Sequence, residues 1–353
     1  MKRLSRWQRE RHTRIARKHV QRRLRKAAKK RKTEAHVATY DKSYFKAPWR
    51  FDIGGPTGKQ VRAFLDSVCD SVAAGNLVRL DFRDTKIMYP AATILLYAEI
   101  DRIVSTSKLA KPVTILSPKS RRVREVLTQI GFYELTGDAT ETVPSRQDVV
   151  YWRQAKGKDQ SGPNLQLIEV VAERVKAEHG SNLILDSLWR GVTEAVANSV
   201  EHAYKHPRLD GFQGLAETKW WVFTQVKDGV FFVCVCDLGC GYLATIGETI
   251  SEKLRAEIAS RFRGKNRDAI AVETAMAFGR SSTGEGHRGL GSRDAISVLE
   301  RHQEGDLMVI SNTGTVHYRY VGGVLTNRSQ TGLGFSVNGT ILWWRLPLKG
   351  QPE

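Results

Sequence analysis

The sequence predicts an α/β unit followed by an α+β unit, both preceded by a basic arm. Three observations lead there. Residues 49–137 alternate short apolar strand patterns with helical ones, as α/β layers with short connections do. Residues 164–353 instead collect helices before and between antiparallel strand patterns. Finally, 353 residues exceed what one core usually organises, so about two domains are expected. The boundaries read this way are an arm over 1–48, an α/β unit over 49–137, a linker over 138–163 and an α+β unit over 164–353.

The arm holds nearly all of the excess charge. Residues 1–32 carry 16 Lys and Arg against a single acid, Glu10, a net of +15 out of the formal +19. The other 321 residues hold 40 bases and 36 acids, a net of only +4. Met1–Lys32 lacks Gly and Pro, so it is flexible or helical, with Leu4, Trp7, Ile15, Val20 and Leu24 as a sparse apolar stripe. A block of like charge repels itself until it meets an anionic partner. Three readings stay open for it: nucleic acid, whose phosphates release counterions when neutralised, an acidic protein or membrane surface, and a solvated tail.

In the α/β unit, "WRFDI" reads as a strand and "GGPTG" as a turn. Val61, Phe64, Leu65, Val68 and Val72 then mark one face of a helix. "LVRLDF" (77–82) is a buried strand, and Pro90–Val104 is a second helix with Pro at its first turn. "PVTILSP" (112–118) is a third strand, and Arg121–Ile130 a third helix.

Between 138 and 163 the chain turns polar, and "AKGKDQSGPN" has the content of a connection. "DVVYWRQ" (148–154) reads as an intervening strand. Leu165–Glu178 and Leu183–Tyr204 read as long amphipathic helices. "KWWVFTQV" and "GVFFVCVCD" are strands joined at Lys227-Asp228-Gly229, and Asp-Gly between two β-rich runs is a strong hairpin signal. A helix near Gly291–Arg301 and the strands "DLMVISN", "TVHYRYV" and "TILWWRLPL" complete the unit.

Composition narrows the class. At 41% hydrophobic and 26% charged residues the chain is ordinary globular material. No apolar run approaches a membrane span, and the basic start does not read as a signal peptide. Four cysteines make no disulfide framework, so a reducing, cytoplasmic setting is expected. Cys234 and Cys236 fit the period of an apolar strand better than a zinc site. Trp220-Trp221 and Trp343-Trp344 fit strand packing better than base stacking.

Three short boxes carry the chemistry. In "EAVANSVEHAY", Glu194, Asn198 and His202 fall at i, i+4 and i+8 on one helix face. A carboxylate one turn from a carboxamide can hold a water and a hard cation together, although a plain polar face has the same pattern. In "CDLGCGY", Asp237 stands where an apolar strand ends, followed by Gly239 and Gly241, which permit close backbone approach to a ligand; an ordinary turn would also read so. "GRSSTGEGHRGLGSRDAI" is a Gly-rich loop entering a helix, an arrangement that aims N–H groups at phosphate unless it is only a linker.

Taken in this order within one unit, the boxes resemble the N, G1 and G2 boxes of the GHKL ATPase superfamily, the Bergerat fold. "NGTILWWRLPL" is similar to that family's last strand. The resemblance runs from about Leu165 to Leu348 and implies a two-layer α/β sandwich that binds ATP and Mg²⁺. By position, Glu194 would be the general base and Asn198 the Mg²⁺ ligand, while Asp237, with Thr340, would take the adenine amino group. Gly239 and Gly241 would shape the adenine side. Gly289, Leu290 and Gly291, helped by Gly286 or Arg288, would shape the phosphate side, and 242–285 would form a lid. His287-Arg288 stand where kinases usually place the first Gly of that box.

The first unit resembles a STAS domain, through "LVRLDFRDTKIMYPAATILLYAEIDRI" and "VREVLTQIGFYEL". Regulatory members of that family carry an Asp-Ser pair at the helix start; here Tyr89-Pro90 stands there, and Pro90 offers no hydroxyl. The resemblance implies a protein-docking module or a structural partner for the second unit. "EAVANSVEHAY" is closest in spelling to anti-sigma serine kinases. The expectation is therefore a bacterial-type regulator that binds Mg-ATP and passes phosphate to water or to a partner's Ser/Thr. The alternative is a non-catalytic ATP-sensing scaffold or nucleic-acid-associated switch, including one from a mobile element or defence system.

Overall fold

Apolar residues spaced three and four apart, with Gly75, Gly131 and Gly137 just past three of the helices, build the first half from short strands and covering helices. The computed structural model describes residues 42–139, 142–160, 165–179, 183–211, 219–249, 266–281 and 291–348. The basic arm over 1–32 lies outside them. The first half contains β1 (Lys42–Lys46), β2 (Arg50–Phe51), α1 (Gly58–Ala73), β3 (Leu77–Asp81), β4 (Ile87–Met88), α2 (Pro90–Thr106), β5 (Val113–Leu116), α3 (Arg121–Gln129) and α4 (Phe132–Thr136). β1, β3 and β5 form a parallel sheet in that order, and β2 pairs with β4. α1 buries Val61, Phe64, Leu65 and Val68 on one stripe, and Ser120 caps α3 by accepting from the Val123 N–H.

β1 corrects the expected arm of 1–48. Its sequence, Lys-Ser-Tyr-Phe-Lys, reads as the tail of the basic block. Yet it pairs in register with β3, from Lys42 opposite Leu77 to Lys46 opposite Asp81.

The second half contains α5 (Gln147–Val150), β6 (Arg153–Gly157), α6 (Gln166–His179), α7 (Leu185–Glu201), β7 (Trp220–Lys227), β8 (Val230–Asp237), α8 (Tyr242–Thr249), α9 (Arg267–Ser281) and α10 (Gly291–His302), then β9 (Glu304–Ser311), β10 (Gly314–Val321), β11 (Val324–Gly332) and β12 (Thr340–Pro347). Seven strands form one sheet in the order β11-β10-β9-β12-β8-β7-β6, every neighbouring pair antiparallel. Asp228 and Gly229 turn the β7–β8 hairpin with φ of 50° and 67°, the left-handed pair that a two-residue hairpin needs.

Two expectations shift. The strand expected over 148–154 is a short helix, α5, followed by β6. β6 adds to the edge of the large sheet through β7, so the expected linker of 138–163 contributes a strand. β11 is polar and mostly exposed, which hides it from a hydrophobic pattern. The segment expected as a lid, 242–285, includes α8 and the whole of α9 among its described residues.

The fold is mixed α/β, and its two halves share a core. α2 packs on β7 and β8 of the seven-stranded sheet and on α1 and α4, and every side chain from Ala92 to Ile103 is buried. One apolar cluster passes from Phe51, Phe64 and Phe82 through α2 to Trp221, Phe223, Cys234, Cys236, Ile310 and Ile341 of the large sheet. Tyr97 of α2 meets Phe223 edge-on, with ring centroids 5.7 Å apart. The alternate residues Trp220, Val222, Phe231, Val233 and Val235 face the other way, onto Val171 and Val175 of α6, Val192 and Val196 of α7, and Leu299 of α10. β7 and β8 are thus buried on both faces, which explains the apolar runs Trp220–Phe223 and Val230–Cys236. Charged groups cross the boundary as well: Asp101 of α2 accepts from Lys156 Nζ at 2.6 Å and from Trp221 Nε1 at 3.2 Å.

Candidate functional site

α7 buries Leu188, Val192, Ala195, Val196 and Ser199 against the sheet. This spacing leaves Glu194 and Asn198 half-buried on an adjoining face, one turn apart. Gly191 is where α10 comes closest: an added Cβ would lie 2.6 Å from Val298 Cγ2. The approach brings Asp294, in the first turn of α10, into electrostatic range of Glu194. Burial pushes the Glu194 carboxyl up from its ordinary value, and the negative charges of Asp294 and Glu201 push the same way.

Asp237 ends β8 and is buried. Its Oδ1 accepts from the Gly239 N–H at 2.9 Å and its Oδ2 from Ser199 Oγ at 3.5 Å. Thr340, opposite it on β12, donates from both its backbone N–H and its hydroxyl. Burial nevertheless dominates and pushes the carboxyl up to about 6. A buried carboxylate whose donors do not offset its desolvation is a receptive site for a further N–H donor.

The loop after Asp237 needs its glycines. An added Cβ on Gly239 would lie 2.1 Å from the Ala203 carbonyl oxygen, just past α7, which also accepts from the Cys240 N–H at 2.7 Å. Gly241 has a φ of +77°, and a Cβ there would sit 2.3 Å from Asn312 Nδ2. Asn312 itself joins the two loops at this end of the sheet. Its Nδ2 donates to the Cys240 carbonyl at 2.9 Å, and its Oδ1 accepts from the Gly339 N–H at 3.3 Å. Ser311 Oγ accepts from the Tyr242 N–H at 2.9 Å and so fixes the start of α8.

Asp237, Gly239, Gly241 and Thr340 lie together at one end of the sheet, and Glu194 and Asn198 lie on α7, whose Ser199 reaches Asp237. Gly291 is the first residue of α10. Gly286, Arg288, Gly289 and Leu290 lie outside the described residues. Four contributors were missed: Ser199 and Tyr204 from the α7 side, Ser311 at the end of β9, and Asn312 in the turn after it. Ser199 follows Asn198 directly, and Ser-Asn closing an apolar strand was a readable signal. Tyr204 was not readable, because its hydroxyl accepts from the Leu238 N–H, 34 residues away in sequence.

The Asp237 end of the site offers one buried carboxylate acceptor with loop backbone close around it. Among the described residues there is no group of three or more His, Cys, Asp or Glu able to hold a metal ion, and Asn198 is a single neutral oxygen donor. Mg²⁺ commonly keeps waters and substrate phosphate oxygens around one or two protein ligands, and Asn198 fits that pattern. No family model, curated protein or solved structure matches this chain.

Proposed function

We propose that the second half of this chain is a GHKL-type nucleotide-binding lobe that takes Mg-ATP, and that the first half is a STAS-like lobe fixed to it. The observation that carries this reading is Asp237: a buried, raised-pKa carboxylate at a strand end, flanked by obligatory glycines and paired with Thr340. It presents an acceptor suited to the adenine amino group. On α7, Glu194 stands within electrostatic range of Asp294 in the first turn of α10, one turn before Asn198, which supports a phosphate end on that side.

In this reading Asp237 and Thr340 hold the base, and Gly239 and Gly241 let the backbone come close to it. Asn198 would hold Mg²⁺, which would neutralise charge on the phosphates. Glu194 takes the proton of the attacking water or partner Ser/Thr hydroxyl as that oxygen bonds to the γ-phosphorus and ADP leaves. Its raised pKa makes it a stronger base than an exposed carboxylate.

The test is binding of a fluorescent, non-hydrolysable ATP analogue with Mg²⁺, followed by turnover with ATP. Binding that survives Glu194→Ala while turnover disappears supports the assignment. Failure of the wild-type chain to bind any adenine nucleotide sinks it, and binding without turnover favours the ATP-sensing scaffold.

A further inference from the structure

Glu99 lies wholly inside the protein on α2, among side chains that are otherwise mostly apolar, and three guanidiniums converge on it. Arg102, one turn on, donates from Nη2 at 2.6 Å, Arg62 of α1 from Nη1 at 3.2 Å, and Arg208 from Nη2 at 3.2 Å. Burial pushes the Glu99 carboxyl up, but Arg102, Arg208 and Arg62 outweigh it and hold it down at about 2. A buried ion cluster adds little net stability over an apolar replacement, so its distinctive effect is to fix geometry.

The fixed parts are the two loops that build the Asp237 end of the site. Arg208 belongs to the segment after α7, whose Ala203 and Tyr204 support the backbone of Cys240 and Leu238. Arg208 also forks onto Asp210, at 3.1 and 2.6 Å. Asp210 Oδ2 accepts from Asn338 Nδ2 at 3.2 Å, two residues before Thr340. Arg62 reaches the same loop directly, donating to the Val337 carbonyl at 3.5 Å.

We propose that Glu99 is a positioning residue of the first lobe that sets base affinity and base selectivity in the second lobe, acting through Arg208, Asp210 and Asn338. This rests on the adenine-nucleotide reading given above. The first lobe touches no ligand in this scheme; it holds the loops that carry Asp237 and Thr340 at the spacing that selects adenine.

Two variants test the chain of contacts without stripping charge from Glu99. Arg208→Lys keeps a cation beside Glu99 but cannot fork onto Asp210. Asn338→Gly removes the bridge to Asp210 at a position whose φ of 56° glycine adopts freely. Each should weaken ATP-analogue binding about tenfold, with kcat within twofold of wild type, and should erode discrimination between ATP and GTP. The double variant should be no worse than the stronger single one, because both cut the same path. Unchanged affinity and ATP/GTP ratio, or fully additive losses, would overturn the proposal. So would both variants failing to fold, since the cluster would then be structural only. Wild-type protein that binds no adenine nucleotide would remove this inference together with the function it rests on, whereas binding with unaltered variants removes this inference alone.

Discussion

Thr340 stands directly opposite Asp237 on the β8–β12 ladder and donates to its carboxylate from both backbone and side chain. Even so, burial keeps that carboxyl at about 6, against 3.8 for a free one. A folded-state pKa above the unfolded value means that the native state holds the proton more tightly. The stability contributed by the protonated form is full below about pH 4 and is lost as pH rises through about 6. Two units correspond to about 3 kcal/mol at most. Asp237→Asn cannot ionise, so its melting temperature should overtake that of wild type across this window. The same variant presents an amide N–H or a weaker acceptor to the base, and its ATP-analogue affinity should fall at least tenfold, about 1.4 kcal/mol. A stability profile parallel to wild type, or retained affinity, would contradict the role given to Asp237.

Glu194 gives a kinetic counterpart. The general-base role proposed for it requires the deprotonated form, so under that proposal turnover should fall as pH drops through its raised pKa. Asp294 is one of the charges that raise it. Asp294→Asn should therefore move the acid limb of the kcat profile to lower pH without abolishing turnover. An unmoved limb would show that some other group controls it.

Many of the strands and helices were legible because apolar periodicity is strong in Val61–Val68 and in 183–204, and the β7–β8 turn carries its own Asp-Gly signal. Elements whose burial depends on distant partners were not. β1 begins and ends in lysine and becomes a strand only beside β3. β6 reads as linker until β7 supplies a ladder. Asp237 and Glu194 stood out through their spacing to Gly239 and Asn198, a local pattern. Glu99 did not, because three arginines drawn from Arg62 to Arg208 give a single glutamate in a helix its meaning, and no local window contains them.

Gly239 tests the tight crossing between the Asp237 loop and the end of α7. A Cβ 2.1 Å from a backbone oxygen cannot be accommodated by turning a side chain, so the loop must move. Gly239→Ala should cost about 3 kcal/mol, in the range of strained backbone sites, and should weaken nucleotide binding as well. Gly54→Ala, where nothing lies within 4 Å, should stay within about 0.5 kcal/mol of wild type. Chemical denaturation of both variants would read the contrast, and equal stabilities would refute the crossing.

The shared core makes a claim about cooperativity. α2 shares one apolar cluster with the first half and with β7 and β8 of the large sheet, so neither half can open without exposing apolar side chains that the other buries. Hydrogen exchange should then report one opening free energy for α1 and β3 in the first half and for β7 and β8 in the second. Tyr97→Ala removes a ring that packs on Phe132 and on Phe223, and should lower protection in both halves together by about 3 kcal/mol. A fragment of residues 160–353 would lack β6 and would leave Trp221, Phe223, Ile310 and Ile341 uncovered. An apolar surface of that kind drives association, so the fragment should aggregate or fail to fold. Separate transitions for the two halves, or a folded monomeric fragment, would mean that the first half rests on the large sheet without being needed by it.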